Sequence, residues 1–294
     1  MTFVTLIICL LANHYWRRRR RLPVEVWFNG WYRWLERRSA PDTRRWQPRP
    51  GLFVVILCVV PLLPLGLLLW LLNGVLLELP LFVLHLLVLL HGLPRINMAE
   101  LADDYLFRWR QGNYEAAYRY TEQKVPDVFE RQPDDYSAMH QQFLDFVLTI
   151  SFTRIFALLF CYTILGPVAA LAYWLLDRTR AEATDLGVRQ FAHGLTGLIE
   201  WIPVRAVALG FALAGDFVAG AGKLRERLLH EPANLANYAL LKSCAVAAMG
   251  QPGEVMRDAD YALRAAWELT ALQELLIRTQ VVWVIILTLV ILVV

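Results

Sequence analysis

Uncharged apolar runs recur along this chain at lengths that fit one architecture. Gly51–Leu77, Leu79–Pro94, Ile155–Leu176 and Thr279–Val294 contain no Asp, Glu, Lys or Arg. A hydrocarbon core about 30 Å thick takes roughly 20 apolar residues at 1.5 Å rise per residue, so these runs predict membrane-crossing helices. They are rich in Leu, Val and Ile and lack the period-two alternation of an outer-membrane barrel. The pattern predicts an all-α fold, a polytopic membrane helix bundle with helical cytoplasmic or soluble portions.

Breaks in the pattern divide the chain. Residues 1–16 are uncharged and followed at once by Arg17–Arg21, whereas a cleaved signal peptide carries its charges before the apolar core. They read as a signal-anchor-like segment or, being short for a span, as an amphipathic arm on the membrane surface. Residues 17–50 form a basic interfacial segment, with Trp27, Phe28, Trp31, Tyr32 and Trp34 at headgroup level. Residues 51–92 read as a transmembrane hairpin turning near Asn73-Gly74. Pro61, Pro64 and Gly66 predict a kinked first arm packed against protein. Residues 93–146 read as a soluble helical loop, its Leu101, Tyr105, Trp109 and Ala117 at helical spacing and Gly112-Asn113 marking a break. A transmembrane helix over 147–177, a helical region over 178–268 with a re-entrant or membrane-associated helix at 195–215, and a C-terminal transmembrane helix over 269–294 complete the reading.

Composition agrees with the pattern. Hydrophobic residues make up 57% of the 294 and mean hydropathy is +0.42, which excludes an ordinary soluble domain. Charge then orients the bundle. Arg17–Arg49 holds eleven Arg against Glu25, Glu36 and Asp42, a formal +8, whereas Leu93–Asp145 sums to −4. The basic segment belongs on the cytoplasmic side. Attraction to anionic headgroups accounts for its charge without nucleic acid, so the lipid bilayer is the partner the sequence implies.

Catalytic chemistry has little footing. Cys9, Cys58, Cys161 and Cys244 are isolated in mostly apolar surroundings and read as small hydrophobes. His85 and His91 are six residues apart, outside the i, i+3 or i, i+4 spacing of helical metal ligands. Gly215, Gly220 and Gly222 lack the Lys-Ser/Thr of a phosphate loop. The sequence therefore points to no catalytic residue, no metal site and no cofactor. The polar exception is Glu200 and Arg205, on a helix whose nine Leu, Ile, Val or Phe residues between Leu195 and Leu213 balance the insertion cost of the two charges. Ionisable groups at membrane depth mark functional sites by default. Here two readings stand: a functional polar pocket, or a structural Glu200–Arg205 pair at a Pro203 kink with Arg205 stacked on Trp201.

Two motifs carry a resemblance. Ile164-Leu165-Gly166-Pro167-Val168-Ala169-Ala170-Leu171-Ala172-Tyr173 is followed by Glu200-Trp201-Ile202-Pro203-Val204-Arg205. Their spacing resembles the AmpE-type inner-membrane proteins, distant relatives of the CobD/CbiB cobalamin-biosynthesis synthases. The synthases carry acidic motifs that hold Mg²⁺ against phosphates. Here the first falls on Thr149-Ile150-Ser151-Phe152-Thr153-Arg154, the second near Leu175–Arg180, and only the Trp201-x-Pro203-x-Arg205 end of the third survives. The resemblance implies a kept scaffold with lost chemistry, centred on Gly166, Pro167, Tyr173, Glu200, Trp201, Pro203 and Arg205. It implies a Gram-negative inner-membrane location and a non-enzymatic signalling or accessory role in β-lactamase induction, with a protein partner in cell-wall signalling and no identified ligand. The alternative it leaves open is a small-molecule-binding membrane enzyme or transporter built on the adenosylcobinamide-phosphate synthase scaffold.

Overall fold

The regular elements are helical, as the apolar runs predict. In the computed structural model the described residues are 25–39, 49–74, 79–94, 98–126, 128–129, 133–230, 237–250 and 260–293, with Thr5, Ile8 and Cys9. The signal-anchor reading of 1–16 and the arginine run after it thus lie outside the described residues, apart from those three positions. In order the helices are α1 (Glu25–Ser39), α2 (Pro50–Leu72), α3 (Leu79–Gly92), α4 (Met98–Arg110), α5 (Tyr114–Lys124), α6 (Tyr136–Ser151), a π-helical turn (Phe152–Ala157), α7 (Leu158–Glu182), α8 (Leu186–Ala214), α9 (Phe217–His230), α10 (Asn237–Ala248) and α11 (Tyr261–Val293). Among the described residues four stretches are long and apolar enough to cross a membrane: Pro50–Leu72, Tyr136–Glu182, Leu186–Ala214 and Tyr261–Ile286. This is a membrane protein.

Short polar side chains start the helices. Asn113, Asp135, Asp185 and Asp216 each accept a hydrogen bond from the backbone N–H three residues on, at Ala116, Ala138, Val188 and Ala219. Each such cap satisfies a donor that the first helical turn leaves open. The break at Gly112-Asn113 is one of them, Gly112 taking φ +74° between α4 and α5.

The chain divides into two compact units. The first, Met1–Arg95 with Ala157–Glu200, packs α1, α2, α3 and α7. Trp31 Nε1 donates to the Leu57 carbonyl at 3.1 Å. The α7 ring of Trp174 stacks on Trp27 and meets His91 edge-on. The arm α2 is buried at Phe53, Val54, Leu57, Cys58 and Leu65, while Leu63, Leu67 and Trp70 are exposed. The expectation of an arm covered by protein holds at Pro61, whose freed Leu57 carbonyl is the one Trp31 caps, and is corrected beyond Pro64, where Leu67 and Trp70 are exposed. Lipid tails are as apolar as leucine, so this face has no need of a protein partner.

Within α7 the backbone breaks at Gly166, which takes φ 78° and ψ −167°. That region is essentially restricted to glycine, and Pro167 then opens the next turn with a φ suited to a helix start. Segment 147–177, read from sequence as one span, is thus two helical pieces.

The second unit, Ile96–Phe156 with Trp201–Val294, is built on α4, α5, α6, α9, α10 and α11. Tyr105 stacks on Phe143 with centroids 4.2 Å apart, and Trp109 Nε1 donates to the Ala262 carbonyl at 3.0 Å. Gly215 lets α10 approach: a Cβ there would lie 2.2 Å from the Ala248 carbonyl oxygen, which accepts from the Asp216 N–H. On α5 the Tyr120 hydroxyl donates to Asp104 under the Arg108 guanidinium. Burial, then that hydrogen bond, push the Tyr120 pKa up to about 12. Helix α11 runs unbroken from Tyr261, so the 268/269 boundary drawn from sequence falls inside one helix.

Candidate functional site: a buried ion-pair cluster at Glu200

Residues four and seven apart share a helix face. On α7 this brings Tyr173, Asp177 and Arg180 into line, and all three meet at one place with Glu200 of α8. The Tyr173 hydroxyl donates to Glu200 Oε1 at 2.8 Å. Arg180 Nη1 reaches the two Glu200 oxygens at 3.3 and 3.4 Å, and its Nη2 donates to Asp177 Oδ1 at 2.6 Å. Glu200, Asp177 and Tyr173 keep only 6%, 7% and 2% of their surface. Two carboxylates therefore share one guanidinium, with a phenol as further donor. Charges at membrane depth are tolerated when they are paired in this way.

The pairing read from sequence is corrected by this geometry. Glu200 is held by Arg180 and Tyr173, while Arg205 bends back along its own helix, its guanidinium 4.0 Å from the Trp201 ring centroid and Nη1 donating to the Trp201 carbonyl at 2.8 Å. Five residues advance a helix by about 140° beyond one full turn at 3.6 residues per turn, so positions 200 and 205 face different ways. The stacking of Arg205 on Trp201 is as read from sequence. Helix α8 continues through Pro203, which lies between them.

Of the seven residues singled out, Tyr173 and Glu200 meet in the cluster. Trp201 and Arg205 form a separate stacked pair, and Gly166-Pro167 makes the break in α7, about 10 Å along the axis from Tyr173 at 1.5 Å per residue. Sequence reasoning missed Asp177 and Arg180. Their signal was available: Tyr173, Asp177 and Arg180 form a polar stripe at i, i+4 and i+7 beside an uncharged run.

The stretch Thr149–Arg154, where the synthases carry their first acidic motif, enters the π-helical turn, with Thr153 Oγ1 donating to the Thr149 carbonyl at 3.0 Å and Arg154 buried. Among the described residues no group of three or more His, Cys, Asp or Glu side chains converges. His85 Nδ1 pairs with the Tyr162 hydroxyl at 3.0 Å, and His91 Nε2 accepts from Trp27 at 3.2 Å. All four cysteines are free and buried. The chain matches no protein-family model, no curated protein and no solved structure.

Proposed function

We propose that the chain is a non-enzymatic signalling or accessory protein of a Gram-negative inner membrane, acting in cell-wall and β-lactam sensing through a protein partner. The observation that supports this reading is how Glu200 is used. It is the acid that stands at the start of the Trp-x-Pro-x-Arg motif, and both its oxygens are taken up by Arg180 and one by Tyr173. A synthase needs acids available to hold Mg²⁺ on phosphates. Freeing Glu200 for that task means breaking a buried pair, at about 3–5 kcal/mol. The resemblance to the AmpE type supplies the pathway, and the filled cluster favours the reading without catalysis over the enzyme or transporter alternative.

Calorimetry on the detergent-solubilised full chain tests this. ATP with Mg²⁺ should give no saturable isotherm. A micromolar, Mg²⁺-dependent isotherm would favour the synthase-like alternative and count against the proposal.

A further inference from the structure

The second unit holds another polar feature, on helices that the Glu200 cluster does not use. There α6 and α11 run in the same direction: His140 lies beside Glu268, and beyond the end of α6 the Phe156 ring of the π-helical turn meets Trp283 at 5.8 Å. Helix α10 closes the third side. The pocket between them holds about 240 Å³. Its polar lining is Gln141, Asp145, Lys242 and Glu268, and its apolar lining includes Leu148 and Leu272.

On α6 Leu144 stands between Gln141 and Asp145, and Leu148 and Leu272 are the last lining residues of their helices, toward the ends that enter the membrane. Leu272 lies about 10 Å of helix before Thr279, where the uncharged run of α11 begins, which places the pocket near the headgroup layer.

The charges are unequally satisfied. Lys242 Nζ sits 2.6 and 2.8 Å from the two Asp145 oxygens. Glu268 has His140 Nε2 at 3.8 Å, too long for a hydrogen bond. That nitrogen is fully buried, and the Ala265 backbone lies against the ring. The other ring nitrogen, Nδ1, is held by Tyr105 at 3.3 Å. The exposed Arg264, one turn earlier on α11, attracts Glu268 through space. Asp145 is taken by Lys242, and Glu268, on which Arg264 acts only through space, is the acid left to receive a donor.

We propose that this pocket binds a primary ammonium group carried on an apolar stem, the ammonium on Glu268 and the stem against Leu148 and Leu272. A cavity of about 240 Å³ has room for a short alkylamine or a lipid headgroup and not for a whole lipid. The chemistry has two sources: an aminolipid of the surrounding leaflet, or a soluble amine. This proposal does not rest on the cell-wall reading.

The test is calorimetric titration of the full chain in detergent with hexylamine, hexanol as the uncharged control. Hexylamine should bind saturably. Hexanol, and hexylamine on Glu268→Gln, should each bind about tenfold or more weakly, as loss of one charge-assisted hydrogen bond demands. Val246 lines the pocket from a half-exposed position, so Val246→Trp should block hexylamine while leaving the melting temperature unchanged. Repeating the titration in nanodiscs separates the sources. Phosphatidylethanolamine should suppress hexylamine binding relative to phosphatidylcholine, which has no ammonium N–H, if the lipid is the resident ligand. Equal titrations in the two would assign the site to a soluble amine. Hexanol binding as tightly as hexylamine, or undiminished binding to either variant, overturns the proposal.

Discussion

Arg180 holds together the buried cluster at Glu200, and its removal is the sharpest perturbation of the fold. Arg180→Met keeps the length and apolar stem of the side chain and deletes the charge shared by Asp177 and Glu200. Removing one partner of a buried pair costs about 3–5 kcal/mol. Arg180 retains 22% side-chain exposure, against 9% and 8% for the two carboxylates, so solvent screening around the guanidinium puts the loss at the lower end, ~3 kcal/mol. That is a large part of the roughly 5–15 kcal/mol that separates folded from unfolded domains. Unfolding in detergent, followed by tryptophan fluorescence, reads it directly. The triple change Asp177→Asn, Arg180→Met, Glu200→Gln should recover most of the loss, because no excess buried charge remains. A double-mutant cycle between positions 180 and 200 should give a coupling of about 1–3 kcal/mol, and one between 200 and 205 should be additive within ~0.5 kcal/mol. A loss below about 1 kcal/mol for Arg180→Met, or a stronger coupling for 200 with 205 than for 200 with 180, refutes the assignment.

Other consequences follow from single positions. Gly166→Ala should destabilise by about 1–3 kcal/mol through its positive φ, whereas Gly194→Ala, on α8 with nothing within 4 Å of an added Cβ, should stabilise by up to ~1 kcal/mol; equal melting temperatures for the two would be inconsistent with the break. Because Tyr120 titrates above the ordinary tyrosine value of 10.0, its contribution is fully present below that pH and lost as pH rises through about 12. The melting temperature of the wild type should therefore fall toward that of Tyr120→Phe across this window and not below it. Alkaline-phosphatase fusions after Arg38 should be inactive if the basic segment faces the cytoplasm, and strong activity there would reverse the orientation.

The architecture was legible where one physical signal dominates. Three of the four uncharged runs fall on spans because a bilayer penalises every charge, whereas Leu79–Gly92 is a shorter apolar helix and the span Leu186–Ala214 carries Arg189, Glu200 and Arg205. Gly112-Asn113 marked the α4–α5 break because a glycine beside a capping side chain has few other uses. Gly166-Pro167 was visible as a pair, but the reversal of backbone geometry there was not. Glu200 was visible as an anomaly on an apolar helix, while its partner was misassigned. Nearness in sequence favours Arg205, but helical phase places it on another face. Arg180 stands twenty residues away, and only the turn between α7 and α8 brings it to Glu200. The pocket at Glu268 needed three helices from distant parts of the chain and had no local signature.

The decisive measurement for the proposed role is β-lactamase activity after β-lactam challenge, in a strain with an inducible enzyme from which this chain has been deleted. Deletion should alter induction, the wild-type chain should restore it, and the Asp177→Asn, Arg180→Met, Glu200→Gln chain should not, although it accumulates folded in the membrane. Induction in the deletion strain identical to that of its parent would contradict that role.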